Sequence, residues 1–306
     1  MAERESRTGG SIDVGGRYDP IEVLGILAAA LFWGWLGLRW LNDWFGGLFV
    51  REGQAFLPPS TFEFLPALAF AVEFAPELAA GVWLTVLLTI VGIALGFPIA
   101  IVLAGARVYG RTTRWVALGY IELVRGTPLL AQLFVLYYGL GLSSFIRELP
   151  GVGTVSVIPE QAVWVAMIGF TINSAAYQAE YLRGAIESVD PGQLRAARAI
   201  GLSQIDGIRY VVLPQALRYA IPGWTNELIY LIKYSSLAAF ITVPELFNRA
   251  SSIASENFRY LALFSLAGLF YLALVLTATN LTSRLEDRVA IPGLARRDER
   301  LRERSQ

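Results

Sequence analysis

Four stretches of this sequence contain no Asp, Glu, Lys or Arg: residues 78–106, 126–146, 161–179 and 260–283. Each reaches the roughly 18 to 20 residues that a helix needs to cross a bilayer. In hydrocarbon every backbone N–H and C=O must find its partner within the protein, so apolar runs of this length resolve into packed helices. Composition agrees, with 55% of the 306 residues hydrophobic and 12% aromatic, beyond what a soluble domain carries. The expected fold class is all-α, a polytopic transmembrane helical bundle.

Read in order, the hydrophobic runs place six spans at about 20–41, 80–106, 115–142, 160–182, 219–242 and 259–283. The first has an uncharged core only over 23–38, so it spans if Glu22 and Arg39 extend outward to the headgroups. Residues 58–80 contain four prolines and three glutamates, which predicts an interfacial segment there. The polar, Gly-rich residues 1–19 are expected to form a flexible tail. Eighteen arginines fall in the connections on one face and five on the other, so the rich face is cytoplasmic and both termini lie there. Trp33, Trp35, Trp40, Trp44 and Trp115 fall near the predicted interfaces and read as an aromatic belt.

There are no cysteines and no histidines, which removes disulfides, thiolate nucleophiles, Cys/His zinc sites and imidazole bases. Net charge is zero and says nothing about nucleic acid. A phosphate-binding G-x-x-x-x-G-K-[ST] loop needs a lysine, and the single lysine, Lys233, follows "IYLI" inside a span. The chain is therefore not expected to be an ATPase or to bind a metal. An intramembrane hydrolase would have to rest on Ser235 with Lys233 as base.

One segment is out of keeping with the rest. "GQLRAARAIGLSQIDGIRYVVLPQAL", residues 192–217, is polar and carries several arginines. Asp190 followed by Pro191 is a helix start, and Gly201 a stop. Ser203 with Asp206 approximates a capping box that opens a second short helix, which Pro214 is expected to end. Two short helices broken at a glycine, exposing Ala196, Ala197 and Ala199, make a knob that can enter a cleft of a soluble partner. A solvated loop lying on the membrane is the other reading.

"GQLRAARAIGLS" followed by "VVLPQA" resembles the EAA loop of ATP-binding-cassette importer permeases, in which a coupling helix docks onto the ATPase subunit. Gly201 and Leu213-Pro214 match the family pattern; Arg195 stands where the family usually has glutamate, so the ion pair that glutamate makes is not implied here. The resemblance extends over residues 80–285. "GVWLTVLLTIVGIALGFPIAIVLAGAR", "YIELVRGTPLLAQLFVLYYGLGL", "INSAAYQAEYLRGAIESVDPGQ" and "LIKYSSLAAFITVPEL" are similar to the polar amino acid (histidine, glutamine, arginine, glutamate) branch of these permeases.

The resemblance implies a type I importer permease domain over 80–285, with a cytoplasmic coupling loop at 186–218. Residues 20–79 then add a span and an interfacial segment to a five-span core, and 286–306 form a cytoplasmic tail. Gln193, Arg195, Ala196, Ala197, Gly201, Leu202, Leu213 and Pro214 would form the ATPase-coupling surface. The implied partners are a second permease chain, identical or homologous, two ATP-binding subunits that hold ATP and Mg, and an extracytoplasmic substrate-binding protein. No cofactor is expected in this chain.

Charges at membrane depth cost about 2.5 to 3.5 kcal/mol each, so they face protein or a cavity. Asn173, Tyr177, Glu180 and Gly184 recur at helical spacing on the fourth span; Asn226, Tyr230 and Lys233 do so on the fifth, with Glu227 and Tyr234 alongside. Gln132 lies two turns past Arg125 on the third. A zwitterionic amino acid needs a cation for its carboxylate and an acid or carbonyl for its ammonium. Asn173, Tyr177, Glu180, Asn226, Tyr230, Lys233 and Gln132 are the substrate-binding candidates. Glu122, Arg125 and Arg183 read as helix-stapling pairs or a gate, with Pro128 breaking the third span. An ion-coupled carrier or channel built on Glu122, Glu180 or Glu227 is the rival, as is the same permease fold carrying an opine or a polyamine.

Overall fold

The computed structural model describes residues 20–154 and 158–289; the expected tail at 1–19 and residues 290–306 of the second tail lie outside them. Among the described residues every regular element is helical. The helices are α1 (Pro20–Trp44), α2 (Pro66–Tyr109), α3 (Thr113–Arg125), α4 (Leu129–Phe134), α5 (Leu142–Arg147), α6 (Gln161–Ser188), α7 (Pro191–Ala199), α8 (Gln204–Gly207), α9 (Leu213–Tyr234), α10 (Leu246–Asn257) and α11 (Tyr260–Val289). Three helices are long and apolar enough to cross a membrane: Val23–Trp44, Pro66–Tyr109 and Tyr260–Glu286. Gln204–Ile241 with Leu246–Asn257, bent by 53°, makes a fourth if counted as one span. Of the other two expected spans, α3–α4 is broken, and α6 carries Glu180, Arg183 and Glu187 towards its end.

The largest departure from expectation is α2. Residues 66–79 form no separate interfacial segment; only the turn Pro59–Phe62 and its flanks precede a helix that runs unbroken for 44 residues, about 66 Å at 1.5 Å per residue. Pro66 sits in its first turn, where a missing N–H costs nothing. Glu73 and Glu77 are one turn apart on its exposed face, while Phe70 and Leu78 are buried against α10 and α11. The acids therefore mark one side of the helix rather than its end. Pro76 and Pro98 lie inside it, as neighbouring helices in a bundle allow.

α1 also differs from its expected form. Arg39 does not reach outward: it is fully buried, pairs with Asp43 one turn on, donates to the Gln54 carbonyl, and lies 5.7 Å from the centre of the Phe56 ring. The chain after α1 folds back beneath it because buried Asn42 accepts from the backbone N–H groups of Phe49 (2.8 Å) and Val50 (3.1 Å). The tryptophans divide. Trp33 donates to Thr277 (3.0 Å) and Trp40 to the Ala79 carbonyl (2.7 Å), so both pack α1 against the bundle. Trp115 is exposed, as a belt residue would be.

The centre of the bundle is the pairing of α2 with α6, which glycines bring close. A Cβ on Gly92 would stand 3.1 Å from the Phe170 side chain, and one on Gly96 3.0 Å from the Ala175 backbone. Gly81 is tighter still, with the backbone of Leu246 at 2.7 Å. That backbone is fixed by Glu245, whose buried carboxylate accepts from the N–H groups of Phe247 (2.9 Å) and Asn248 (2.8 Å) and from the Tyr271 hydroxyl (2.9 Å). Gly81→Val is therefore expected to destabilise the protein by about 1 to 3 kcal/mol or more. Thermal unfolding in detergent checks this; an unchanged midpoint would refute the close α2–α10 approach.

Candidate functional site

Two polar features stand out against the apolar bundle. The first begins at a break. Pro128 ends α3, as expected, and leaves α4 to start afresh at Leu129. A broken helix strands carbonyl groups, and the Gln132 amide answers them, donating to Val124 O (2.6 Å), Thr127 O (3.1 Å) and Thr127 Oγ1 (2.9 Å). The Gln132 oxygen accepts from Asn173 on α6 at 3.1 Å, which ties the break to its neighbour. Arg125, the last residue of α3, is thereby held at the mouth of a cavity.

That cavity, about 340 Å³, is lined by Arg125, Asn173, Tyr177, Tyr181, Glu227, Tyr230 and Tyr234 from α3, α6 and α9. The Arg125 guanidinium lies 5.4 Å from the Tyr177 ring centre and 3.5 Å from the Glu180 carboxylate. Glu180 is also held by both forks of Arg183 at 3.0 Å, and Arg183 reaches Glu187 at 2.6 Å. The charges thus form a ladder down α6 that ends on a cation facing the cavity. On the other wall Glu227 is buried, and the rings of Tyr230 and Tyr234 are stacked 5.8 Å apart. A cation, a carboxylate and aromatic walls are the groups that hold a zwitterion with a polar side chain.

Of the sequence candidates, Asn173, Tyr177 and Tyr230 line this cavity, and Glu180 bounds it through Arg125. Gln132 supports Asn173 from behind. Lys233 and Asn226 are exposed and do not line it; the Lys233 ammonium lies 5.4 Å from the Tyr230 ring centre. Glu122 is exposed and, among the described residues, makes no ion pair; Arg125 pairs with Glu180 instead. Arg125 is therefore a cavity residue as well as a helix staple. Glu227 and Tyr234, noted only alongside the α9 stripe, also line the cavity, and Tyr181 is the lining residue that helical spacing did not name at all. It lies four positions after Tyr177 on the same helical face, and Gly223 makes room for it: a Cβ there would come within 2.7 Å of its ring.

The second feature is the knob. Asp190 caps α7, accepting from Gly192 N–H at 2.6 Å, and Gly201 stops it with φ +94° in the left-handed region where a Cβ would be strained. Ser203 opens α8 by accepting from Asp206 N–H at 3.1 Å. Pro214, however, does not end the second helix. A widened turn over Ile208–Val212, in which the Leu213 N–H reaches back to Ile208 O, carries the chain straight into α9. Such a turn shifts the hydrogen-bond ladder and leaves room for a proline that has no N–H.

The knob's faces also differ from expectation at one alanine. Ala197 is buried against Gly207, whereas Gln193, Arg195, Ala196, Arg198 and Ala199 are exposed. Leu202 and Leu213 are half-buried, Pro214 exposed. The two most outward apolar side chains are Ile200, 82% exposed, and Ile205, 75% exposed. Between the knob and the end of α2 lies a crevice of about 560 Å³, walled by Val108 and Tyr109 on one side and Leu194 and Arg195 on the other.

Comparison with known proteins shows what this chain is similar to. Residues 96–291 match the family described as "Binding-protein-dependent transport system inner membrane component". The probable amino-acid ABC transporter permease protein YckA of Bacillus subtilis (strain 168) is 39% identical over 230 residues, covering 75% of this chain and 96% of that protein. The octopine transport system permease protein OccM of Rhizobium radiobacter is 38% identical over 223 residues, covering 71% and 88%. Among solved structures, "Crystal structure of an amino acid ABC transporter with histidines" matches with a TM-score of 0.61 and 32% identity, covering 71% of this chain and 96% of that one.

Proposed function

Since the chain belongs to the family of binding-protein-dependent transport system inner membrane components, we propose that it forms the translocation pathway of an ATP-driven importer for polar L-amino acids. The observation that carries this is the knob, which offers Ile200, Ile205, Arg195 and Arg198 outward with nothing among the described residues to cover them. Exposed isoleucines on a short, well-capped protrusion are a docking surface rather than a solvated loop. The lack of a phosphate-binding loop in the sequence supports a reading in which separate subunits hold ATP and Mg. Two such subunits below, a second permease chain beside it, and an extracytoplasmic binding protein complete the machine.

In this reading the membrane is crossed six times, by α1, α2, α3–α4, α6, α9 and α11. Both termini and the knob lie in the cytoplasm of a cell whose inner membrane holds the complex. ATP binding closes the ATPase pair and draws two knobs together; the helices rock and open the cavity outward, and hydrolysis returns it inward. Arg125 takes the substrate carboxylate, and Glu227 the ammonium. Asn173, Tyr177, Tyr181 and Tyr230 contribute the walls; Arg183 and Glu180 hold Arg125 in place. Gln193, Arg195, Ala196, Gly201, Leu202 and Pro214 meet the ATPase, with Ala197 and Leu213 shaping the knob from within.

The test is ATPase activity of the reconstituted complex, with its binding protein, across acidic, basic and amide amino acids, opines, polyamines, sugars and peptides. Stimulation by one polar amino acid is the expected result. Stimulation by sugars or peptides alone would overturn the cargo, and an ion-driven uptake indifferent to ATP would overturn the machine.

A further inference from the structure

A groove of about 580 Å³ that shares no lining residue with the polar cavity runs between α2, α9 and α11. Its walls are almost wholly carbon, from Ile90, Phe97, Leu228 and Leu285 among others. Two polar atoms interrupt them. The Gln178 side chain is 1% exposed and the Trp224 indole N–H is buried; among the described residues the Gln178 oxygen accepts no hydrogen bond and the Trp224 N–H donates none. Both residues line the groove. A buried, unmet donor and acceptor in an apolar wall are costly unless a ligand or a bridging water meets them.

The third polar group is at the rim. Arg218 is exposed, lines the groove, and makes no ion pair among the described residues. It precedes Trp224 by six residues, or ~9 Å along α9, towards the knob. On α11 Glu286 is engaged by the Thr225 hydroxyl at 2.6 Å, a contact that joins α9 to α11. Read from the rim inward, the groove offers a cation, a hydrogen-bond donor one to two turns deeper, and then an apolar channel.

We propose that this groove is a binding site for one anionic phospholipid of the leaflet next to the knob. The order of its groups is the order of that molecule: phosphate on Arg218, ester carbonyl accepting from the Trp224 N–H, acyl chain along Ile90, Phe97 and Leu228. A water beneath the ester donates to the Gln178 oxygen. Arginine at the membrane surface with its stem along apolar wall is a favourable placement for anionic headgroups. The site is separate from the cargo cavity, because no residue lines both.

The test uses the complete importer in nanodiscs doped with phosphatidylglycerol or phosphatidylcholine carrying a photoactivatable acyl chain, with labelled residues located by mass spectrometry. Phosphatidylglycerol should label residues 90–97 and 217–228 about fivefold more than phosphatidylcholine, the ratio that about 1 kcal/mol per arginine gives. Arg218→Gln should bring that ratio to near one, and Trp224→Phe should lower it. Ala94→Phe, which fills the groove, should abolish labelling there; Leu228→Trp on the facing wall is the second filling variant if the first does not assemble. Label spread evenly over the lipid-facing helices, an absence of label in the groove, or a ratio unaffected by Arg218→Gln would each overturn the proposal.

Discussion

Replacing both Ile200 and Ile205 with aspartate should cut ATP-driven uptake by a factor of about 100 to 10,000 while leaving the permease folded. Burying an isoleucine is worth about 1.5 to 3 kcal/mol, so two are worth roughly 3 to 6, and each 1.4 kcal/mol is a factor of ten in affinity. Within the chain these side chains contribute little, being 82% and 75% exposed. Their loss therefore falls on docking and not on the fold. Co-purification of the ATPase, uptake into vesicles and the thermal midpoint of the isolated permease separate the two effects. Uptake that survives the double substitution would show that the knob is not where force enters.

Arg125→Gln should weaken substrate use by about 10- to 100-fold, expressed as a rise in KM for uptake. A hydrogen bond to a charged group is worth about 1.5 to 3 kcal/mol, and Arg125 is the arginine that lines the cavity. Arg125→Lys should restore only part of the activity, because an ammonium lacks the planar fork that grips a carboxylate. Arg183→Gln gives the contrast. It frees Glu180 to pair with Arg125 alone, so it should shift KM less. Equal effects of the two changes would mean that the ladder acts as a staple and that the carboxylate binds elsewhere.

Much of this could be read from residue types because local chemistry decided it. The start at Asp190 and Pro191, the stop at Gly201 and the break at Pro128 are each fixed by one or two residues, and each appears where expected. Errors arose where a signal had two physical outcomes. Glu73 and Glu77, with the prolines before them, read as an interfacial segment, yet a four-residue spacing also puts them on one outer face of a continuing helix. Arg39 read as reaching for water, but a loop that folds back supplies its partners from residues 43, 54 and 56. Pro214 read as a terminator, and only the widened turn before it explains its tolerance.

The polar cavity was half legible. Helical spacing named Asn173, Tyr177 and Tyr230, all of which line it. The same spacing also named Asn226 and Lys233, because periodicity says which residues share a face and not which neighbour that face meets. Tyr181 needed a pairwise fact, the close approach of Gly223, that no single helix reveals.

The unbroken α2 has a mechanical consequence. A lever ~66 Å long continues as one helix through Pro76 and Pro98, and one end stands beside the knob across the crevice walled by Tyr109 and Leu194. With its fulcrum near the middle, a swing of roughly 5° would carry each tip about 3 Å in opposite senses, by the geometry of a rod of that length. A nudge from an engine on one side of the bilayer would thus be delivered as displacement on the other, through a single piece of backbone.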